Sequence, residues 1–313
     1  MLTGKQKRYL RSIAHKIPAT FQVGKDGVSD KMIDAIRLGL QANELVKIKV
    51  LDNCTEELNQ VALDLIAMTR RIGLLGGSFD PVHKGHVQIA KYSLKKLKLD
   101  ELWFIPVLNN PFKDRQMASG ADRCAMLECV IQDEPRFKIC DVELKGNPEL
   151  KSFTYYTLLY LIDHYPDTQF YYIIGDDQVA AFDRWYEAEK ISQLVTLVCF
   201  ARKGYEPHYK NIKKYHMQRL DMKPIKASST AIREGDLTQV EPAVIQYFTM
   251  HGLYLKDIVK HYMSEKRYAH TCSMANLAVE IARANQIDPM KAYVAGMLHD
   301  IAKEMPEKKA EKL

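Results

Sequence analysis

The middle of the chain switches between short, continuous apolar runs and longer stretches with apolar residues every three or four positions. Runs at Ile72–Leu75, Leu102–Val107, Phe137–Val142, Phe170–Ile174 and Leu194–Phe200 read as strands buried on both faces, with helical stretches between them. Strands alternating with helices predict a doubly wound α/β core, a parallel sheet covered on both sides. Such sheets bind ligands beyond the carboxyl ends of their strands, near the point where the strand order reverses.

The flanks read differently. Leu2–His15 has a helical pattern with Tyr9, Leu10, Ile13 and Ala14 on one side, and Ala19–Val23 is a short strand. Gly24-Lys25-Asp26-Gly27 is a loop, and Ser29 can cap a helix to about Ala42 that carries Met32, Ile33, Ile36 and Leu40. Leu45–Leu51 alternates as a strand, and a further helix runs from Thr55 to Ala67. After residue 255 the pattern is helical only, at Lys256–Met263, His270–Asn285 and Pro289–Lys303, followed by a charged tail. Three segments are expected, 1–69, 70–255 and 256–313, with no internal repeat and no low-complexity linker.

Length and composition fit this division. A chain of 313 residues is long for one domain, and 47% hydrophobic content is ample for a core. The net charge of +6 permits anionic partners without by itself establishing nucleic-acid binding. The six cysteines form no CxxC pair, which suits a reducing compartment. The basic start is not followed by an apolar segment of signal-peptide type, and no run approaches membrane-spanning length. These features predict a cytoplasmic protein with no membrane partner.

The densest chemistry lies in Gly76–His86, GGSFDPVHKGH, placed between the first apolar run of the core and an amphipathic helix. Gly76 and Gly77 let backbone N–H groups approach an anion, and Asp80-Pro81 makes a rigid turn. A helix starting near Lys84 puts His83 and His86 in its opening turn, where the helix dipole favours a phosphate. The plain alternative is a strand-to-helix turn whose histidines only cap or pack. There is no GxGxxG and no GK[ST], so a Walker-type NTPase does not fit.

GGSFDPVHKGH, with its HxGH core, resembles the signature of the nucleotidyltransferase superfamily. SFTYYTL at 152–158, YYIIGDDQVAAFDRWY at 171–186, VCFARKGY at 198–205, ASSTAIR at 227–233, Pro242 and HGLY at 251–254 resemble the motifs of one branch, the bacterial nicotinate-nucleotide adenylyltransferases. The resemblance implies transfer of AMP from ATP to nicotinate mononucleotide, giving nicotinate adenine dinucleotide and pyrophosphate. It leaves nicotinamide mononucleotide or phosphopantetheine as other possible acceptors. It assigns catalysis to His83 and His86. ATP contacts fall to Gly76, Gly77, Ser78, Phe79, Lys113, Ser229, Thr230 and Arg233, with Mg²⁺ bridging the phosphates. Acceptor contacts fall to Thr154, Asp177, Trp185, Tyr186 and Arg202. Taken alone, Trp185 could equally be a packing aromatic and Arg202 a solvated loop charge. Two positions depart from the family: Phe112 replaces a histidine of the usual PPHK loop, leaving Lys113, and Tyr156 replaces an acid.

The outer segments resemble two further families. LTGKQKRYLRSIAH, FQVGKDGVSD and ANELVKIKVL are similar to the CRM-type RNA-binding family, a small KH-like α+β module linked to ribosome assembly. That implies contact with rRNA through Lys5, Lys7, Arg8, Arg11 and the Gly24-Lys25-Asp26-Gly27 loop, whose glycines allow close approach to a backbone. RYAHT at 267–271 and AGMLHDIAK at 295–303 resemble the start of an HD-type phosphohydrolase, similar to diadenosine tetraphosphatases. That resemblance implies His270, His299 and Asp300 as ligands for iron or a related divalent ion. An HD site also needs a later Asp, which this sequence does not supply. The segment is therefore read as a helical remnant with part of a metal site.

Overall fold

The computed structural model describes residues 4–29, 31–33, 35–36, 39, 43, 45–67, 70–108, 117–145, 153–202, 204–225 and 227–304. They fall into two compact units, Met1–Arg71 with Leu161–Gln169, and Ile72–Tyr160 with Phe170–Leu313.

In the first unit α1 (Gly4–Ala14) precedes β1 (Phe21–Val23), β2 (Ile48–Val50) and α2 (Leu58–Ala67). β1 and β2 pair in parallel, Phe21 opposite Ile48. Leu10, Ile13 and Ala14 are half-buried as the helical pattern requires, but Tyr9 is exposed, a correction to its expected place on the apolar side. The Ser29 side chain accepts the Met32 amide as an N-cap would, at 3.4 Å. The expected end of that helix, with Leu40, lies outside the described residues.

The core of the second unit is a six-stranded sheet. In chain order its elements are β3 (Arg70–Gly77), α3 (Lys84–Lys96), β4 (Glu101–Pro106), α4 (Gly120–Ile131), β5 (Phe137–Ile139), α5 (Thr154–His164), β6 (Thr168–Gly175), α6 (Asp176–Ala181), α7 (Ala188–Leu194), β7 (Thr196–Arg202), α8 (Tyr209–Lys214), β8 (Gln218–Ile225) and α9 (Ser229–Arg233). The strand order is β5-β4-β3-β6-β7-β8, and the pairs with resolved register are all parallel. The order reverses between β3 and β6, so the crevice for a ligand opens where those strands end, at Gly77 and Gly175.

All five expected strands are present. β5 stops at Ile139, short of Val142, and β3 reaches two residues past the apolar run to include both glycines. β8 was not expected. Its sequence, QRLDMKPI, has no apolar run because it lies at the sheet edge, where a strand needs only alternate apolar positions.

The main core runs from Leu75, Phe104 and Ile173 on the sheet through Ile89 and Leu94 of α3 to Met126 and Leu127 of α4. Beyond the sheet follow α10 (Pro242–Met250), α11 (Leu255–His261), α12 (Glu265–Ala284) and α13 (Pro289–Leu298). Ile258 of α11 belongs to the main core, while Leu255 and Val259 of the same helix join a second core with Ala275 and Met297. One amphipathic turn of α11 therefore ties the last helices to the sheet domain.

Candidate active site

The chain leaves β3 through Gly76 and Gly77, opposite Ile105 and Pro106 of β4. A methyl group on Gly76 would come within 2.7 Å of the Tyr172 hydroxyl, so only glycine fits against β6 there. Phe79 has a left-handed backbone (φ 48) and is 1% exposed. That conformation costs a non-glycine residue about 1–2 kcal/mol. Burying a Phe side chain returns about 1.5–3 kcal/mol, so packing wins. Asp80 and Pro81 are joined by a cis bond.

His83 is the N-cap of α3, and His86 is three residues into it. Each ring bonds the other's backbone: His83 Nδ1 accepts the His86 amide at 3.3 Å, and His86 Nδ1 accepts the His83 amide at 3.2 Å. The rings stack with centroids 3.7 Å apart at 18°. Because each Nδ1 is an acceptor, the neutral tautomer carries its hydrogen on Nε2 in both rings. Two parallel imidazoles, each an Nε2 donor, thus stand at the positive end of a 13-residue helix. Phe79 meets the His86 ring edge-on at 5.0 Å and limits its rotation.

Remote groups hold the turn between glycines and histidines. Buried Arg123 of α4 donates to the carbonyls of Ser78 at 2.9 Å and Ala118 at 3.1 Å. Arg233 donates to the Asp80 carbonyl and to Thr230 Oγ1, and Ser229 Oγ donates to the Pro81 carbonyl at 2.9 Å. The buried Asp80 carboxylate accepts the Ala118 amide at 3.2 Å and the Tyr254 hydroxyl. Burial holds both guanidinium groups below the usual arginine range. Ser229 and Arg233 therefore reach the phosphate turn as expected, but their described bonds go to its backbone. Arg123 and Tyr254 were not singled out in the sequence, since residue type alone does not reveal a partner 45 or 174 positions away.

On the acceptor side Thr154 opens α5 and hydrogen-bonds Tyr172, whose hydroxyl is pushed up by burial. Asp177 lies in the first turn of α6, directly after β6. Trp185 packs at 5.1 Å on Phe182 and meets Tyr172 at 6.1 Å. Its indole Nε1 is buried without a hydrogen-bond partner. Tyr186 is 44% exposed beside it. Lys113 and the side chain of Arg202 lie outside the described residues, as do the side chains of Lys5 and Lys7.

Glu143 is bonded by Thr157 Oγ1 at 3.0 Å and by the Leu108 amide, and burial pushes its carboxyl up. An acid with a raised folded-state pKa keeps full stability below its unfolded value and loses stability as pH climbs towards the folded value. Glu143→Gln is therefore expected to melt higher than wild type at pH 8. The advantage should vanish near pH 4, and scanning calorimetry at the two pH values checks this.

In the first unit Gly27 has φ +65 and closes the Gly24–Gly27 turn, with Lys25 exposed. Arg8 and Arg11 are exposed on α1. Near the C-terminus the ligand atoms of His270, His299 and Asp300 lie within 4.8 Å of one another. The Asp300 carboxylate, however, is already paired with Lys303 at 2.8 Å and Arg267 at 3.1 Å, and Lys303 holds it below the usual range. His299 Nδ1 bonds the Gly296 carbonyl at 2.7 Å. Among the described residues the cluster has three members. Two imidazoles and an already neutralised carboxylate do not make an iron centre by themselves.

Three family models match the chain. The cytidylyltransferase-like model covers residues 74–235, the CRS1/YhbY (CRM) domain residues 2–72 and the HD domain residues 267–312. A Mycoplasma genitalium protein described as a probable nicotinate-nucleotide adenylyltransferase/Ap4A hydrolase is 32% identical over 240 residues, 76% of this chain and 68% of that protein. The probable nicotinate-nucleotide adenylyltransferase of Bacillus mycoides is 38% identical over 192 residues, 59% of this chain and 98% of that protein. The solved structure of Plasmodium falciparum nicotinic acid mononucleotide adenylyltransferase complexed with NaAD shares the fold. Its TM-score is 0.52 at 19% identity, covering 59% of this chain and 97% of that one. The chain belongs to the cytidylyltransferase-like family, and within it to the nicotinate-nucleotide adenylyltransferases.

Proposed function

We propose that residues 70–255 transfer AMP from ATP to nicotinate mononucleotide, releasing pyrophosphate and forming nicotinate adenine dinucleotide for NAD synthesis. The observation that carries the reading is the pair of stacked imidazoles with Nδ1 tied to the backbone, at the head of α3 where the strand order reverses. An acceptor phosphate is already ionised, so the reaction needs no general base. What it needs is in-line placement of the two substrates and donors where charge grows on the triphosphate.

The Nε2–H groups of His83 and His86 supply those donors. The Gly76–Phe79 amides cradle the nucleotide, with Lys113, Ser229, Thr230 and Arg233 around the phosphates. A divalent ion, Mg²⁺, neutralises the triphosphate when bound and keeps much of its water. Thr154, Asp177, Trp185, Tyr186 and Arg202 face the acceptor, and the unpartnered Trp185 Nε1 offers it a donor. Pyrophosphate release with ATP and a panel of nicotinate mononucleotide, nicotinamide mononucleotide and phosphopantetheine tests the reading. Turnover should be greatest with nicotinate mononucleotide, and a clear preference for another acceptor would refute it.

A second activity is proposed for residues 1–69: binding to structured RNA, rRNA above all, through Arg8, Arg11, Lys5, Lys7 and the Gly24–Gly27 turn. The left-handed Gly27 that closes this turn and the CRM match favour it. Affinity should fall steeply as salt rises, because phosphate contacts release counterions. Filter binding that shows no such dependence would remove RNA as a partner. Residues 256–313 are assigned a packing role rather than hydrolysis. No helix of the described residues is long and apolar enough to cross a membrane, and all six cysteines are free, which fits the proposed cytoplasmic location.

A further inference from the structure

Four aromatic side chains meet beside the proposed acceptor site. Tyr186 stacks on Phe153 at 5.0 Å and 27°, and on Tyr156 at 5.6 Å and 24°, while Tyr155 meets it edge-on at 6.0 Å. The hydroxyls of Tyr156 and Tyr186 are 3.2 Å apart. Lys190 lies 5.7 Å over the Tyr155 ring and pairs with Glu187 at 3.0 Å. The cluster adjoins the phosphate turn through a short chain of contacts. Thr154, in the same helical turn as Tyr156, bonds Tyr172, and the Tyr172 hydroxyl abuts Gly76.

Tyr186 is nearly half exposed, and a tyrosine so exposed would ordinarily sample several rotamers. Here three rings and a hydroxyl contact fix it, which is how a binding wall is pre-organised. The residue that does most of this, by both stack and hydrogen bond, is Tyr156. It is also the position at which the chain departs from the acid of the SYTxDTL pattern.

Resting on the adenylyl-transfer reading, we infer that Tyr156 is a positioning and specificity residue for the acceptor. It fixes the Tyr186 wall and keeps a negative charge away from the acceptor's carboxylate. A phenol at this place carries no charge at neutral pH, whereas a carboxylate would repel nicotinate and leave nicotinamide nearly unaffected. For two like charges about 7 Å apart in a partly solvated site, the repulsion corresponds to about tenfold in affinity.

The test measures kcat and KM for nicotinate and nicotinamide mononucleotides in the full chain with Tyr156→Asp and Tyr156→Phe. Tyr156→Asp should raise KM for the nicotinate acceptor by about tenfold with kcat little changed, and so lower selectivity by about the same factor. Tyr156→Phe keeps the ring and its neutrality. It should raise KM for both acceptors by about threefold, the scale of one exposed hydrogen bond, and leave selectivity unchanged.

An unchanged acceptor ratio in folded Tyr156→Asp would overturn the inference. If that variant does not fold, Tyr156→Phe decides alone, since a wild-type KM would show that the hydroxyl contact positions nothing. A wild-type chain without turnover on nicotinate mononucleotide would instead overturn the parent reading. The wild-type arm therefore separates the two failures.

Discussion

His86→Ala is expected to fold and to lose at least two orders of magnitude in adenylyl transfer. The mutation removes one of two Nε2 donors placed where charge accumulates on the triphosphate, and losing one such donor typically costs about 10²–10³ in kcat. It also removes the Nδ1 acceptor of the His83 amide, a capping loss of about 1 kcal/mol that a protein of this size tolerates. The drop should appear in kcat more than in KM for ATP, because the donor matters most as charge develops. His86→Asn should recover part of the loss, since its carbonyl can replace Nδ1 and its amide can still donate. Near-wild-type turnover by folded His86→Ala would remove the imidazole pair from the mechanism.

Arg123→Met should cost both stability and activity, although Arg123 is buried behind the turn. Met fills much of the same volume, but it leaves the carbonyls of Ser78 and Ala118 without their donor. Each stranded buried acceptor costs about 1–3 kcal/mol, so about 3 kcal/mol in total is expected once the cost of burying the guanidinium is set against it. That corresponds to a melting shift of about 6–12 °C for a domain of this size. Loosening the Ser78 carbonyl also frees the chain between Gly77 and His83, and turnover should fall by about tenfold through misplaced phosphates. Calorimetry and steady-state kinetics on the same preparation check both. A variant that melts like wild type would show that the two hydrogen bonds contribute nothing net.

The reach of the sequence differs between these residues for a physical reason. Gly76–His86 was legible because its chemistry is local: the apolar strand, the glycines, the turn and the helix start follow one another along eleven positions. The core strands were legible because burial on both faces leaves an unbroken apolar run. β8 was not, because an edge strand with one solvated side carries polar residues that look like loop. Arg123 and Tyr254 were invisible for a different reason. They reach the turn only because sheet order and the packing of α10 and α11 bring distant parts of the chain together. Arg233 and Ser229 lie between these cases. Their motif marked them for the phosphate site, but whether a donor points at a ligand or at a backbone carbonyl depends on geometry that residue type does not encode. Tyr9 was misplaced because helical periodicity gives a side of the helix, not whether anything covers it.

The account rests on the orientation of the two imidazoles, and imidazole nitrogen NMR on the full chain reads it directly. Both His83 and His86 should show the hydrogen on Nε2, with Nδ1 behaving as a hydrogen-bonded acceptor. Adding a non-hydrolysable ATP analogue with Mg²⁺ should shift both Nε2 signals and leave both Nδ1 signals nearly in place. Hydrogen on Nδ1, or Nε2 signals that ignore saturating nucleotide, would contradict the claim that this turn holds the triphosphate.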